Sequence, residues 1–242
     1  MSMRKGLQLT RTERRRLVKR EWSRRSRLFW VLGTYLTSVV WVTVYFRYRY
    51  IRHSLLSVGN ASEYLGAVTL QTFLVNLPMI VALIVSFCLL GRDTAEELSL
   101  QVRTKSAKII VTILSVIYVF QLISWLGLSD DKVTVAFQWL YYLLAVAFLE
   151  EFEFRALFPA ILGEKFSPPV RWILPNALYA LAHSVLMIAT GMEVSQIVVN
   201  TLNSFLGYVL VGVFLEWCRR KTQSLWVGVL IHALMDFPGS VV

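Results

Sequence analysis

The sequence predicts an all-α protein, a polytopic transmembrane helical bundle of about seven spans around a membrane-embedded polar cavity. Three observations predict it. Hydrophobic residues make up 56% of the 242-residue chain and mean hydropathy is +0.58, above the roughly 45–50% apolar content of soluble domains. The excess lies in long uncharged runs, the signature of membrane spans. Some of these runs nevertheless carry carboxylates, an arginine and histidines. A charge near the bilayer centre costs at least ~3 kcal/mol, so such groups face a protein interior or a water cavity.

Residues 1–27 hold eleven of the 25 Lys and Arg and read as a basic cytoplasmic tail attracted to anionic lipid. They carry no aromatic or motif pattern for nucleic acid, and none is expected as a partner. Leu28 to Phe46 is the first span, retained because it has no small-residue cleavage site. Arg47 to Glu63 is an outer loop. Tyr64 to Leu90 is a long second span, kinked at Pro78. Gly91 to Lys108 is a charged loop with Arg92, Asp93, Glu96 and Glu97. Ile109 to Leu128 is the third span. The fourth runs from about Ala136 into the charged stretch Leu149–Arg155, after which Pro159 and Pro168-Pro169 interrupt a loop or interfacial helix. Trp172 to Thr190 and Val194 to Leu215 are the fifth and sixth. The last begins near Leu225 and is short, because Pro238 and Gly239 follow.

With seven spans and the N-terminus inside, inner segments hold 20 Lys and Arg and outer segments 4. This positive-inside pattern sets the orientation. Trp172, Trp217 and Trp226 then share one interface, as an aromatic belt does. The strongly basic tail fits a bacterial plasma membrane. Cys88 and Cys218 are too far apart in sequence to suggest a disulfide framework or a cysteine metal motif.

Three polar constellations carry the chemistry. The first is Glu150-Glu151-Phe152-Glu153-Phe154-Arg155. Glu151 and Arg155 are four apart and share a helical face, as an ion pair would. Glu150 points about 100° away and is left as a candidate general base. The bland alternative is a helix that ends in charges at the membrane surface. The second is Tyr179 with His183, and the third His232 with Asp236, each four apart on one face. At ~1.5 Å per residue, Glu150 and His232 lie ~9 Å and His183 ~16 Å from the inner edge, so all three reach one cavity. Asn176, Gln196, Asn200 and Asn203 read as interhelical hydrogen bonding. Ser184 lacks the context of a serine nucleophile, and the H-E-x-x-H zinc signature is absent.

The three constellations in this order resemble the CPBP (CAAX protease and bacteriocin-processing, or Abi) family of intramembrane endopeptidases, including the type II CAAX prenyl endopeptidases. Phe154-Arg155 fits the family's EExxFRG, with Ala156 in place of glycine. Tyr179 replaces the more usual phenylalanine, and Asp236 the commoner asparagine. The resemblance covers about residues 109–237 of a transmembrane domain spanning 28–242. It implies that Glu150 activates a water with help from His183, that His232 and Asp236 position the carbonyl and stabilise the oxyanion, and that Glu151, Arg155 and Tyr179 support the site. An ionised Asp236 cannot stabilise an oxyanion, so it either orients His232 as an imidazolium or is itself protonated. The implied substrate is a peptide or membrane protein in contact with membrane lipid. No cofactor is expected; the alternative is zinc on Glu150, His183 and His232. Two other classes stand beside the protease: a non-catalytic scaffold or immunity protein, and a proton-coupled transporter, for which no inverted repeat is visible.

Overall fold

The computed structural model describes residues 24–90 and 98–240. Most of the basic tail, and Arg92, Asp93, Glu96 and Glu97 of the charged loop, lie outside the described residues. Among the described residues the protein is helical, with no strand. The first helix, α1 (Arg24–Ile51), is 28 residues long, so Arg47 and Arg49 belong to its last turns rather than to a loop. A 3-10 turn, Val58–Asn60, leads into α2 (Ala61–Val75) and α3 (Leu77–Leu90). The chain bends by 56° between these two. The break falls at Asn76, whose amide bonds back to Thr72 O at 3.0 Å, and Pro78 takes the first turn of α3, where its missing N–H costs nothing.

α4 (Lys105–Leu128) is capped by Thr104, which accepts from the Ala107 amide at 3.0 Å. α5 (Lys132–Lys165) runs 34 residues and starts at Asp131, whose carboxylate accepts from the Thr134 amide at 3.0 Å. α6 (Pro168–Ala182) breaks at His183 and Ser184 before the short α7 (Val185–Thr190). Gly191 ends α7 at φ 77°, and its amide bonds back to the helix carbonyls, the left-handed position that glycine fills without strain. α8 (Val194–Thr222) and α9 (Leu225–Ser240) close the chain.

Three expectations change here. Among the described residues five helices are long and apolar enough to cross a membrane, or six if the bent α2–α3 pair is one span. A seventh span is not confirmed, because α9 has 16 residues and rises only ~24 Å against a ~30 Å hydrocarbon core. Its apolar part, Leu225–Phe237, is a shorter helix, although the backbone stays helical through Pro238 and Gly239 to Ser240. The fourth span does not end at the charged stretch. α5 continues through Pro159, so Glu150 lies near its midpoint. The sequence marked Pro159 as an interruption, but the turn Phe152–Leu157 just before it is π-helical. That wider turn absorbs the clash a proline ring makes with the carbonyl four residues back.

Packing puts α5 at the centre. α9 lies against α4, α5 and α8, and α6 lies along α8. α7 rests on α1, which also reaches the end of α5. Phe152, Phe158, Leu215, Leu225 and Val229 are fully buried in this contact zone. On the side of the α8–α9 turn, the segment after residue 97 is pinned. Leu225 N–H donates to Ser99 O at 2.7 Å and Trp226 Nε1 to Leu100 O at 3.0 Å. Glu216 binds Arg219 in two-pronged fashion and also Arg220, and Arg220 lies over Trp172. The basic end of α8 thus meets the first turns of α6.

Candidate active site

Glu150 and Glu151 form the short α-helical turn between the π-helical stretches Tyr141–Phe148 and Phe152–Leu157 of α5. π-helical turns inside α-helices recur at functional sites. Glu151 and Arg155 are both fully buried. Arg155 Nη1 stands 3.2 Å from Glu151 Oε1, close enough for an ion pair although not aligned as a hydrogen bond. The guanidinium also lies over the Tyr179 ring, 3.9 Å from its centroid, a cation–π contact strengthened by burial.

Two glycines make room for this pair. A Cβ on Gly212 of α8 would meet Arg155 Nη2 at 2.7 Å and collide with Asn176 Oδ1. A Cβ on Gly228 of α9 would stand 3.1 Å from Glu151 Oε2. Neither glycine is marked by the sequence, because their role depends on a partner helix.

His232 ties α9 to α5. Its Nδ1 is 3.1 Å from Glu151 Oε1. Its Nε2 is 3.2 Å from Asp236 Oδ2 and 3.8 Å from Glu150 Oε2. Both ring nitrogens thus face carboxylate oxygens, which accept hydrogen bonds, so the arrangement is that of a doubly protonated imidazolium. Asp236 is the nearer of the two carboxylates at Nε2.

His183 is placed differently. It occupies the C-terminal cap of α6, and its Nδ1 donates to Tyr179 O at 2.9 Å. A carbonyl only accepts, so Nδ1 carries a proton, and Nε2 is the ring nitrogen left free of this contact. The ring stacks on Tyr208 of α8 with centroids 3.8 Å apart, and meets Tyr179 edge-on at 4.6 Å. Tyr208 is a contact that sequence patterning does not reveal.

A cavity of about 200 Å³ opens beside Glu150. Glu150, His183 and Tyr179 line it, with Tyr35, Ser38 and Phe46 of α1 and Met79 of α3 on the facing side. His232 stands behind Glu150, against its carboxylate, and is outside the lining. The structure thus brings Glu150, His183 and His232 to one place, with only the first two on the cavity surface. Glu150 Oε2 is buried and has no hydrogen-bond partner among the described residues. Among the described residues no three His, Cys, Asp or Glu side chains converge as a metal-ligand group.

No curated protein and no solved structure matches the chain. A protein-family model does, over residues 132–238: the type II CAAX prenyl endopeptidase Rce1-like family. The matched residues begin at α5 and end in α9, and they include all three polar constellations. The protein is therefore an integral membrane protein whose residues 132–238 match the type II CAAX prenyl endopeptidase Rce1-like family model.

Proposed function

We propose that this protein is an intramembrane endopeptidase that hydrolyses a peptide bond near the cytoplasmic face, using a water activated by Glu150 and His183. The observation that carries the reading is the Glu150 carboxyl group, a quarter exposed, in the wall of a cavity that His183 shares. The carboxylate is an acceptor for a water proton, and Nε2 of a neutral His183 is a second acceptor on the same cavity. Glu150 takes a proton from the water, and the hydroxide adds to the scissile carbonyl. The positive charge of His232, held between Glu151 and Asp236, offsets the developing oxyanion. Glu150 then returns its proton to the leaving amine, which closes the cycle. Arg155, Glu151 and Tyr179 keep these groups in register.

The family description supports a CAAX-type substrate, a peptide near the C-terminus of a prenylated protein. The distribution of basic residues supports a cytoplasmic N-terminus, and the basic tail a bacterial plasma membrane.

The test is cleavage of a peptide library by the purified protein in detergent. Glu150→Gln is expected to reduce kcat/KM by about 10²–10⁴, the usual contribution of a general base. Activity is expected to persist in strong chelator, with no stoichiometric metal copurifying. Full activity in Glu150→Gln overturns the assignment of the base. Stoichiometric zinc, with activity restored only by adding it back, replaces the metal-free route. An inert wild-type protein favours a non-catalytic scaffold.

A further inference from the structure

His183 sits where its own helix gives it least support. α6 ends at Ala182, α7 begins at Val185, and His183 and Ser184 form the break between them. The hydrogen bond from Nδ1 to Tyr179 O, at 2.9 Å, fixes one atom of the ring. The outer torsion of a histidine side chain is broad, so that bond alone leaves the ring plane free to swing. α8 supplies a second hold. The Tyr208 ring lies on the His183 ring with centroids 3.8 Å apart and planes 28° from parallel. The Thr201 hydroxyl shares a hydrogen bond with the Ser184 hydroxyl at 2.7 Å. Gly212 leaves room for Asn176 and Arg155. Thr201, Tyr208 and Gly212 are spaced by seven and four residues, so they form one stripe of the helix. The stripe meets α6 and its break in reverse chain order: Gly212 against Asn176, Tyr208 against His183, Thr201 against Ser184. On the opposite side of α8, Leu202, Leu206 and Leu210 are exposed.

We propose that Tyr208 is a positioning residue for His183: its ring walls one face of the imidazole and keeps the plane in which Nε2 meets the attacking water. This rests on the endopeptidase reading of the site. His183 lines the cavity beside Glu150 and Tyr208 does not, so Tyr208 reaches the reaction through the imidazole and not through the substrate. A flat ring confines a neighbouring flat ring to planes near its own. An aliphatic side chain of similar bulk fills the space without setting an orientation. Tyr179 meets the imidazole edge-on at 4.6 Å and 77°, which limits the perpendicular swing. The wall is the ring itself, so phenylalanine serves as well as tyrosine. Losing it displaces a reacting group while the substrate still binds, and a misplacement of ~1 Å costs up to about 10²-fold in rate.

The experiment has a spectroscopic arm and a kinetic arm, both on the full chain in a neutral detergent. In protein carrying isotope-labelled histidine, the His183 ring signal is assigned by its loss in His183→Gln. Its ring protons are expected upfield of free histidine, because they lie over the face of the Tyr208 ring. They are expected to stay there in Tyr208→Phe and to move back toward the free position in Tyr208→Leu. An unshifted His183 signal in wild type overturns the inference even if Tyr208→Leu does not fold. The kinetic arm uses one peptide selected from the library above. Tyr208→Leu is expected to lower kcat about 10- to 10²-fold with KM little changed, and Tyr208→Phe to keep the wild-type kcat. An equal loss in Tyr208→Phe assigns the effect to the hydroxyl and overturns positioning by the ring. A rise in KM with kcat intact places Tyr208 on the substrate and overturns it too. Equal kcat in wild type and Tyr208→Leu sinks the positioning role and leaves the endopeptidase reading standing. No cleavage by wild type, with a His183 shift that depends on the Tyr208 ring, sinks the endopeptidase reading and keeps Tyr208 as the holder of the imidazole.

Discussion

Arg155 has no water-facing surface and, among the described residues, a single carboxylate within ion-pair distance. Removing one member of such a pair leaves the other charge buried alone, at a cost of about 3–5 kcal/mol. Arg155→Ala is therefore expected to lower the yield and thermal midpoint of folded protein, measured by fluorescence-detected size exclusion after heating. Full stability with lost cleavage would instead assign Arg155 to substrate contact. The pairing of Glu151 with Arg155 was legible from their four-residue spacing alone. The union of His232 with Glu151 was not, because 81 residues separate them and only the packing of α9 on α5 joins them.

At the scale of the helix, α5 defeats a reading by hydropathy. Charges and a proline mark the end of a span in most sequences, and both fall here in mid-helix. Their neighbours come from α6, α8 and α9, which no local pattern announces. Gly212 is one such partner. Gly212→Ala would press a methyl group into Arg155 and Asn176 and is expected to lower the thermal midpoint. Gly207→Ala on the same helix meets nothing within 4 Å and is expected to hold or raise it, since alanine is favoured over glycine in a helix by up to ~1 kcal/mol. Equal effects of the two substitutions would show that the site tolerates the extra methyl. The start of α5 gives a pH-dependent counterpart. Hydrogen bonds from the Ser62 hydroxyl, at 2.6 Å, and from Thr134 hold the Asp131 carboxyl below the usual carboxylate range. A depressed folded value adds stability above the unfolded value, and this is lost as pH falls through the folded one. Wild type is thus expected to exceed Asp131→Asn in thermal midpoint at neutral pH. The gap should close on acidification, and a gap independent of pH would refute the linkage.

Across the whole molecule, membrane character and the helices that carry the motifs were readable because lipid makes every charge in an apolar run conspicuous. The cavity wall was not. α1 and the α2–α3 pair carry no motif, yet Tyr35, Ser38, Phe46 and Met79 face Glu150 across the cavity. The shortness of α9 was readable, because Pro238 and Gly239 follow its apolar run.

The 81 residues between Glu151 and His232 also set an order of events during synthesis. A ribosome adds about 5–20 residues per second, so α5 emerges roughly 4–16 s before His232 exists. In that interval Glu151 has Arg155, made four residues later, while Glu150 has no cation. The helix must either wait beside the translocon or enter lipid with Glu150 protonated, and the arrival of α9 is the step that locks it. A chain truncated before Leu225 is accordingly expected to be held by the insertion machinery and degraded. Restoring α9 as a separate segment in the same cell should rescue part of it, as pulse-chase labelling would show. A truncated chain as long-lived as the full one would mean that α5 is settled in the bilayer without its histidine.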